Sequence, residues 1–233
     1  MAVIHKTTMK PEKPELLAAW LPTQPWYIGT AREPELTKAG GFRLDDPQGE
    51  VGIEFMVVTD QSGDQPVSYH VPLTYRGAPL DGADQALIGT SEHGVLGRRW
   101  VYDGTHDPVL IAQLAALLQN RAEPQAQSTT DTPDPSVTPH FTGAGFSTVA
   151  VSPAVVNGQH STDVVVETAA ETEPPPSEPA GSVTIKVTRV LRPDQQAPLA
   201  DSAEARGYVT AGWRSPDGEE SRAAFVVLCD TVR

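Results

Sequence analysis

The residue types best equipped for chemistry are scattered along this chain. Its six histidines, His5, His70, His93, His106, His140 and His160, include no pair at i, i+3 or i+4, so a metal site would have to be assembled from distant segments. The one cysteine, Cys229, lies in the apolar run Ala223–Cys229, which leaves neither a disulfide framework nor a Cys-based zinc site within one chain. No phosphate-cradling loop of the Walker type, no G-x-G-x-x-G after a strand, no H-E-x-x-H and no G-x-S-x-G elbow is present. Thr105-His106-Asp107-Pro108 sets a histidine beside an aspartate, a pair capable of acid–base work. The same four residues make a better helix start, with Thr105 or Asp107 as cap and Pro108 where its missing N–H costs nothing. Trp20-Leu21-Pro22-Thr23-Gln24-Pro25-Trp26-Tyr27 could stack a sugar or a base. Its plainer reading is a helix end whose aromatics seal the core. Trp20, Trp26, Tyr27 and the downstream Arg32 are the candidate ligand or partner surface.

Val183-Thr184-Ile185-Lys186 is similar to the protein-kinase strand V-A-I-K, whose lysine pairs with nucleotide phosphates. On that reading Lys186 and Arg189 are the candidate nucleotide or sugar ligands. No H-x-D-x-x-x-x-N loop and no D-F-G-type carboxylate follows, and the remaining chain is too short for a catalytic lobe. Phosphoryl transfer needs a metal-holding carboxylate and a positioned base. An autonomous kinase is therefore rejected, and no cofactor is expected.

Positioning falls to elements that the pattern predicts in order. A helix is expected over 12–20, with Leu16, Leu17 and Trp20 as its apolar face, ended by Pro22. Gly40-Gly41 reads as a turn. Strands are expected over 51–59 and 67–76, where Pro72 argues for an edge strand or a bulge. Shorter strands at 86–89 and 98–102 precede the clearest helix, 108–120, whose Leu110, Ile111, Leu114, Leu117 and Leu118 form one stripe. Each helix stripe needs a sheet face to cover. Residues 121–139 change to Pro, Ser, Thr and Gln and read as a linker or long solvated loop. Val/Thr-rich runs at 146–151, 162–168, 182–191, 207–214 and 221–229 read as a β-module, interrupted by the acidic, Pro-rich stretch 171–181 and turned at Ser215-Pro216-Asp217-Gly218.

Composition narrows the classes further. The chain has 233 residues with 19 Gly and 22 Pro, too many for an all-helical bundle. Its formal net charge of -13 is concentrated in 122–185, which hold no Lys or Arg. Nucleic acid and anionic membrane both require clustered cations and are poor partners for it. No apolar run is long enough to span a membrane, and Lys6, Lys10 and Lys13 are not followed by the apolar stretch of a signal peptide. A cytoplasmic protein is expected.

Three ordered motifs carry a family resemblance. Trp20–Tyr27 followed by Gly29 and Arg32, Tyr69-His70-Val71-Pro72-Leu73-Thr74-Tyr75-Arg76, and Val101-Tyr102-Asp103-Gly104-Thr105-His106-Asp107-Pro108 resemble the N-terminal cap of actinobacterial maltokinases and related sugar kinases. Pro25 and Thr30 stand where that family has Arg and Lys. The resemblance covers residues 14–120. Beyond it, Asn157–Asp163 and Ile185–Leu191 are similar to degraded versions of a turn and a strand from the family's nucleotide-binding lobe.

The resemblance implies a stand-alone relative of the cap and upper lobe. Its cap is expected to be a cystatin-like α/β roll. Such chains also go under glucan-branching names, but that chemistry needs paired carboxylates on a barrel far longer than this chain. The combined expectation is an α+β protein. It has a curved antiparallel sheet with two packed helices over 1–120, a linker over 121–139 and a small antiparallel β-module over 140–233. Its expected function is a non-catalytic accessory or regulatory one, exerted through a partner protein in α-glucan, maltose or trehalose metabolism. The alternative is a module that binds a nucleotide or sugar through Lys186 and Arg189.

Overall fold

The computed structural model describes residues 8–29, 32–129, 131–149, 152–170, 181–192, 205–215 and 217–231. The acidic stretch 171–180 and Pro216 of the predicted turn lie outside them.

Local sequence sets both helices. α1 spans Lys13–Trp20, with Pro14 in its first turn. The Glu12 N–H donates to Glu15 Oε2 at 2.6 Å in a capping box. The chain then tightens into a single 3₁₀ turn, Leu21–Thr23, around Pro22. α2 spans Pro108–Leu118 and is capped by Asp107, which accepts from the Val109 N–H at 2.9 Å. Asn120, at φ +58°, takes the left-handed conformation that closes helices.

The strands of the first half are β1 (Met9–Lys10), β2 (Leu36–Leu44), β3 (Gly52–Asp60), β4 (Val67–Arg76), β5 (Leu87–His93) and β6 (Gly97–Asp103). Those of the second half are β7 (Gln125–Ala126), β8 (Thr138–Phe141), β9 (Phe146–Thr148), β10 (Ala154–Asn157), β11 (Ser161–Ala170), β12 (Gly181–Thr188), β13 (Val190–Leu191), β14 (Ala205–Arg214) and β15 (Glu220–Asp230). Together with the two short helices they make a mostly antiparallel α+β fold. One sheet runs through both halves in the order β1-β5-β6-β4-β3-β2-β14-β15-β12-β11-β10. β13 leaves β12 after one residue, Arg189, and pairs with β4 at Val190↔Tyr69 and Leu191↔Ser68. The hydrogen-bonded path β4-β3-β2-β14-β15-β12 therefore closes back on β4 through β13, as in a small barrel.

Alternation on the central strands sorts the core into two layers. Ile53, Phe55 and Val57 of β3 face inward with Phe42, Val187, Val209 and Phe225, where the apolar stripe of α2 also packs. Met56 and Val58 face outward, under Leu17, Trp20 and Leu21. Both faces of β3 are thus covered, which explains why it reads as a nearly continuous apolar run.

Two local expectations are corrected. Gly40 and Gly41 do not turn the chain; they lie inside β2, at a register shift between Lys38 and Gly40. A Cβ on Gly41 would stand 2.1 Å from the Phe55 carbonyl oxygen, and one on Gly40 3.2 Å from Trp213 Cα. The glycines let β3 and β14 close in on β2, and Trp213↔Gly40 is the pair that links β2 to β14. Nor does Pro72 mark an edge strand, since β4 is flanked by β3 and β6. The His70 N–H points away from β3 to the Arg189 carbonyl. By alternation the Pro72 nitrogen points the same way, into the gap between β13, which begins opposite Tyr69, and β6, which ends opposite Leu73. No neighbouring strand asks for the donor that proline lacks.

The described residues of 121–139 lie along the sheet. β7 pairs with β2, Gln125 and Val137 are buried, and Arg43 holds the carbonyls of Ala126 and Thr129.

Candidate functional site

The aromatic motif at the end of α1 folds inward. Trp26 is fully enclosed and Trp20 nearly so. Their rings meet edge to face at 5.7 Å, and Trp26 and Tyr27 lie 6.0 and 5.4 Å from Tyr69. The Tyr27 hydroxyl donates to Asp60 Oδ2 at 2.7 Å, and the Tyr69 oxygen accepts from the Ile28 N–H at 3.0 Å. Burial pushes the Tyr69 phenol up to about 12. Burial would raise the Asp60 carboxyl too, but hydrogen bonds from Ser62 and Tyr27 hold it below the usual range. Arg32 is exposed, donates to the Ser62 carbonyl, and borders an open groove of about 580 Å³ beside α1, with Ala18, Pro22 and Pro34.

The third motif meets the second half of the chain in the interior. Arg189, fully enclosed, lies over the Trp26 ring at 5.0 Å. Its Nη2 donates to Asp103 Oδ2 at 2.6 Å and to the Thr105 hydroxyl at 3.1 Å, and its Nε donates to the Thr162 hydroxyl at 2.7 Å. Thr105 donates in turn to Asp103, and Thr162 to Asn157. Lys186, two residues before the end of β12, is half-exposed and pairs with its cross-strand neighbour Asp163 of β11 at 3.3 Å. Lys186 and Arg189 thus have separate carboxylate partners, one at the surface and one in the core.

The second and third motifs also meet each other. Arg76 ends β4 and forks onto Asp107 through two 2.7 Å hydrogen bonds, while Asp107 caps α2. His106 is half-buried beside this cap, and burial lowers its pKa.

A polar cluster that motif reading missed lies at one end of the sheet. Glu54, buried on β3, accepts from Lys13 at 2.5 Å, the Tyr75 hydroxyl at 2.6 Å and Gln127 at 2.6 Å. Burial alone would raise its carboxyl; the Lys13 charge and hydrogen bond, with Tyr75, hold it below the ordinary value. The visible signal was a lone carboxylate inside the apolar run Ile53–Val58, which demands buried partners. Lys13, Glu54 and Tyr75 line a cleft of about 410 Å³ together with Arg43, Leu96 and Arg99.

No three His, Cys, Asp or Glu side chains converge as metal ligands among the described residues, and no helix there is long and apolar enough to cross a membrane. No curated protein matches the chain. Residues 20–107 match the maltokinase N-terminal cap domain. That span begins at the last residue of α1, takes in β2–β6 and stops on the residue that caps α2. Over these residues the chain carries a maltokinase N-terminal cap-like domain.

Proposed function

We propose that this chain is a non-catalytic accessory or regulatory protein that works through a partner enzyme of α-glucan, maltose or trehalose metabolism. The observation that supports this reading is where the motif side chains point. Trp20, Trp26, Asp103, Thr105 and Asp107 are all buried, and Arg76 and Arg189 are bound to Asp107 and Asp103. The residues shared with the cap family build and brace a scaffold, which suits a part that shapes or steadies another protein. A cystatin-like roll for the cap-like half and a cytoplasmic location belong to the same reading.

The test is affinity capture of the tagged full chain from native lysate with mild cross-linking, followed by reconstitution. We expect one reproducible partner, a sugar kinase or glucan-processing enzyme, whose activity or thermal stability changes when the purified chain is added. Absence of a reproducible partner, or one whose activity and stability are both indifferent to the chain, overturns the proposal. Calorimetry with ATP–Mg and with maltose runs beside it. Heat that disappears in Lys186→Ala would favour a small-molecule module instead.

A further inference from the structure

We infer that the cleft between the β2–β3 connection and the β5–β6 hairpin binds a small organic oxyanion, a carboxylate or phosphate group on a partly apolar body, with Arg43 and Arg99 as its ligands. The inference stands apart from the partner reading above and rests on how charge is distributed in the cleft. Its two buried carboxylates are fully engaged. Glu54 holds Lys13, Tyr75 and Gln127. Asp46 accepts the backbone N–H groups of Gln48, Glu50 and Val51 at 3.1, 2.9 and 3.0 Å, which folds the β2–β3 connection into a cap over its own carboxylate.

The two guanidiniums are differently placed. Arg43 donates to the carbonyls of Ala126 and Thr129, and Arg99 to the Leu96 carbonyl. Neither is ion-paired with a carboxylate among the described residues, whereas Arg76, Arg98, Arg189 and Arg206 each are. Carbonyl oxygens orient a guanidinium without neutralising it. The Arg99 Nε is also buried with no hydrogen-bond partner, a donor whose desolvation is uncompensated. A guanidinium fork is shaped for two oxygens of one anion, so a bound oxyanion would supply both the missing charge and the missing acceptor.

The rest of the lining calls for an apolar body. Met9, Ile53, Leu96 and the Tyr75 ring share the cleft with the arginines. Leu96 is 46% exposed at the hairpin tip, where its N–H and that of Val95 are held by His93 Nδ1 at 3.0 and 3.3 Å. The hairpin therefore presents Leu96 and Arg99 on a fixed turn, an apolar contact beside a cation. In a chain of net charge -13 such capture depends on this local pair of cations, because the overall field repels anions.

The experiment is a titration of the full chain, followed by backbone amide NMR, with benzoate, phenyl phosphate, inorganic phosphate and benzyl alcohol. Benzoate or phenyl phosphate should shift amides of 43–54 and 93–99 in a saturable way, and which of the two binds tighter identifies the headgroup. Arg99→Gln should weaken binding about tenfold or more, the loss of one charge-assisted contact. Arg99→Lys should recover only part of it, because the charge returns without the fork. Glu50→Gln, which removes an exposed carboxylate lining the cleft, should tighten binding. Arg99 lies outside the strand pairing with residues 121–139, so its variants test the idea even where Arg43→Gln disturbs folding. No saturable shift at about 10 mM, where a millimolar ligand approaches saturation, overturns the inference. Unchanged affinity in Arg99→Gln does so as well. Equal binding of benzyl alcohol removes the oxyanion, and equal binding of inorganic phosphate removes the apolar body; either result overturns the site as described.

Discussion

His70 holds the most exposed liability at the scale of single residues, although no water touches it. It is wedged between Phe55 and Phe225, whose ring centroids lie 6.0 and 4.5 Å away. Its Nδ1–H donates to the Thr188 carbonyl at 2.9 Å, and its Nε2 is buried without a partner. Burial, against the Thr188 hydrogen bond and with the nearby Arg189 charge, lowers its pKa to about 3 from 6.5. The unfolded chain therefore takes up a proton below about pH 6.5 that the folded chain refuses. Stability contributed by neutral His70 is complete above that pH and is lost as pH falls toward 3, at up to about 1.4 kcal/mol per pH unit. Between pH 7 and 5 the cost is about 2 kcal/mol. His106, also lowered by burial, adds a loss of the same sign. Urea unfolding at pH 7, 6 and 5 should show the decline, and His70→Gln, which can keep the bond to Thr188, should flatten it. Parallel curves for the two proteins would remove His70 as the cause. Nothing at position 70 announces this in the sequence. A histidine in a Tyr-His-Val-Pro strand reads as either face, and only the strand that returns through β13 encloses it.

At the scale of elements, what sequence shows well are the features decided within a few residues. The cap of α2 is one. Asp107, Pro108 and the stripe from Leu110 to Leu118 fall where local chemistry puts them. What the sequence could not show is that Asp107 also receives Arg76 from β4, since that pairing is set by the sheet. Its two roles can be separated. Asp107→Asn keeps a cap acceptor but loses the charge, whereas Asp107→Ala loses both and leaves Arg76 without its partner. The alanine variant should be destabilised by about 3 kcal/mol or more and the asparagine variant by less, in chemical denaturation. Gly40-Gly41 shows the opposite case, in which a local signal misleads. A glycine pair reads as a turn because turns are its commonest use. Here the pair is required by the close approach of β3 on one side and of β14, distant in sequence, on the other. Gly41→Ala, at φ +127° with the Phe55 carbonyl in the way, should cost well over 2 kcal/mol. Gly49→Ala, at φ +72° with open space around it, should cost only about 1 kcal/mol. Similar melting temperatures for the two variants would mean that β2 can slide away from β3 at little cost. Glu54 belongs between these cases: a carboxylate in an apolar strand was legible as an anomaly, but its three donors come from α1, β4 and the segment after α2.

At the scale of the molecule the cap-like domain and the strands that follow share one interior. The apolar stripe of α2, which begins where the family match ends, belongs to one core cluster with Phe42 and Phe55 from the first half and Ile185, Val209 and Phe225 from the second. Closure of the strand path depends on Arg189, the single residue between β12 and β13, whose carbonyl accepts from His70 and whose guanidinium reaches Asp103. Alternation after the buried Val183, Ile185 and Val187 puts Arg189 on the buried face, where a cation demands an anionic partner; what the sequence does not show is that Asp103, distant in the chain, supplies it. A buried pair of this kind adds little over an apolar replacement but costs heavily when half of it is removed. Arg189→Met should therefore destabilise the whole molecule by about 3–5 kcal/mol, by stranding Asp103 among donors too few for it. Asp103→Asn should cost a similar amount by stranding the guanidinium. The double variant should be clearly less destabilised than the sum of the two, with a coupling of about 1–3 kcal/mol. Hydrogen exchange locates the damage: in Arg189→Met the amides of His70, Arg189 and Val190 should lose protection before those of β14 and β15. Calorimetry of the unaltered protein should give one transition, because the two larger core clusters each draw residues from both halves. Two separate transitions, or additive losses in the double variant, would show that the halves hold together without this pair.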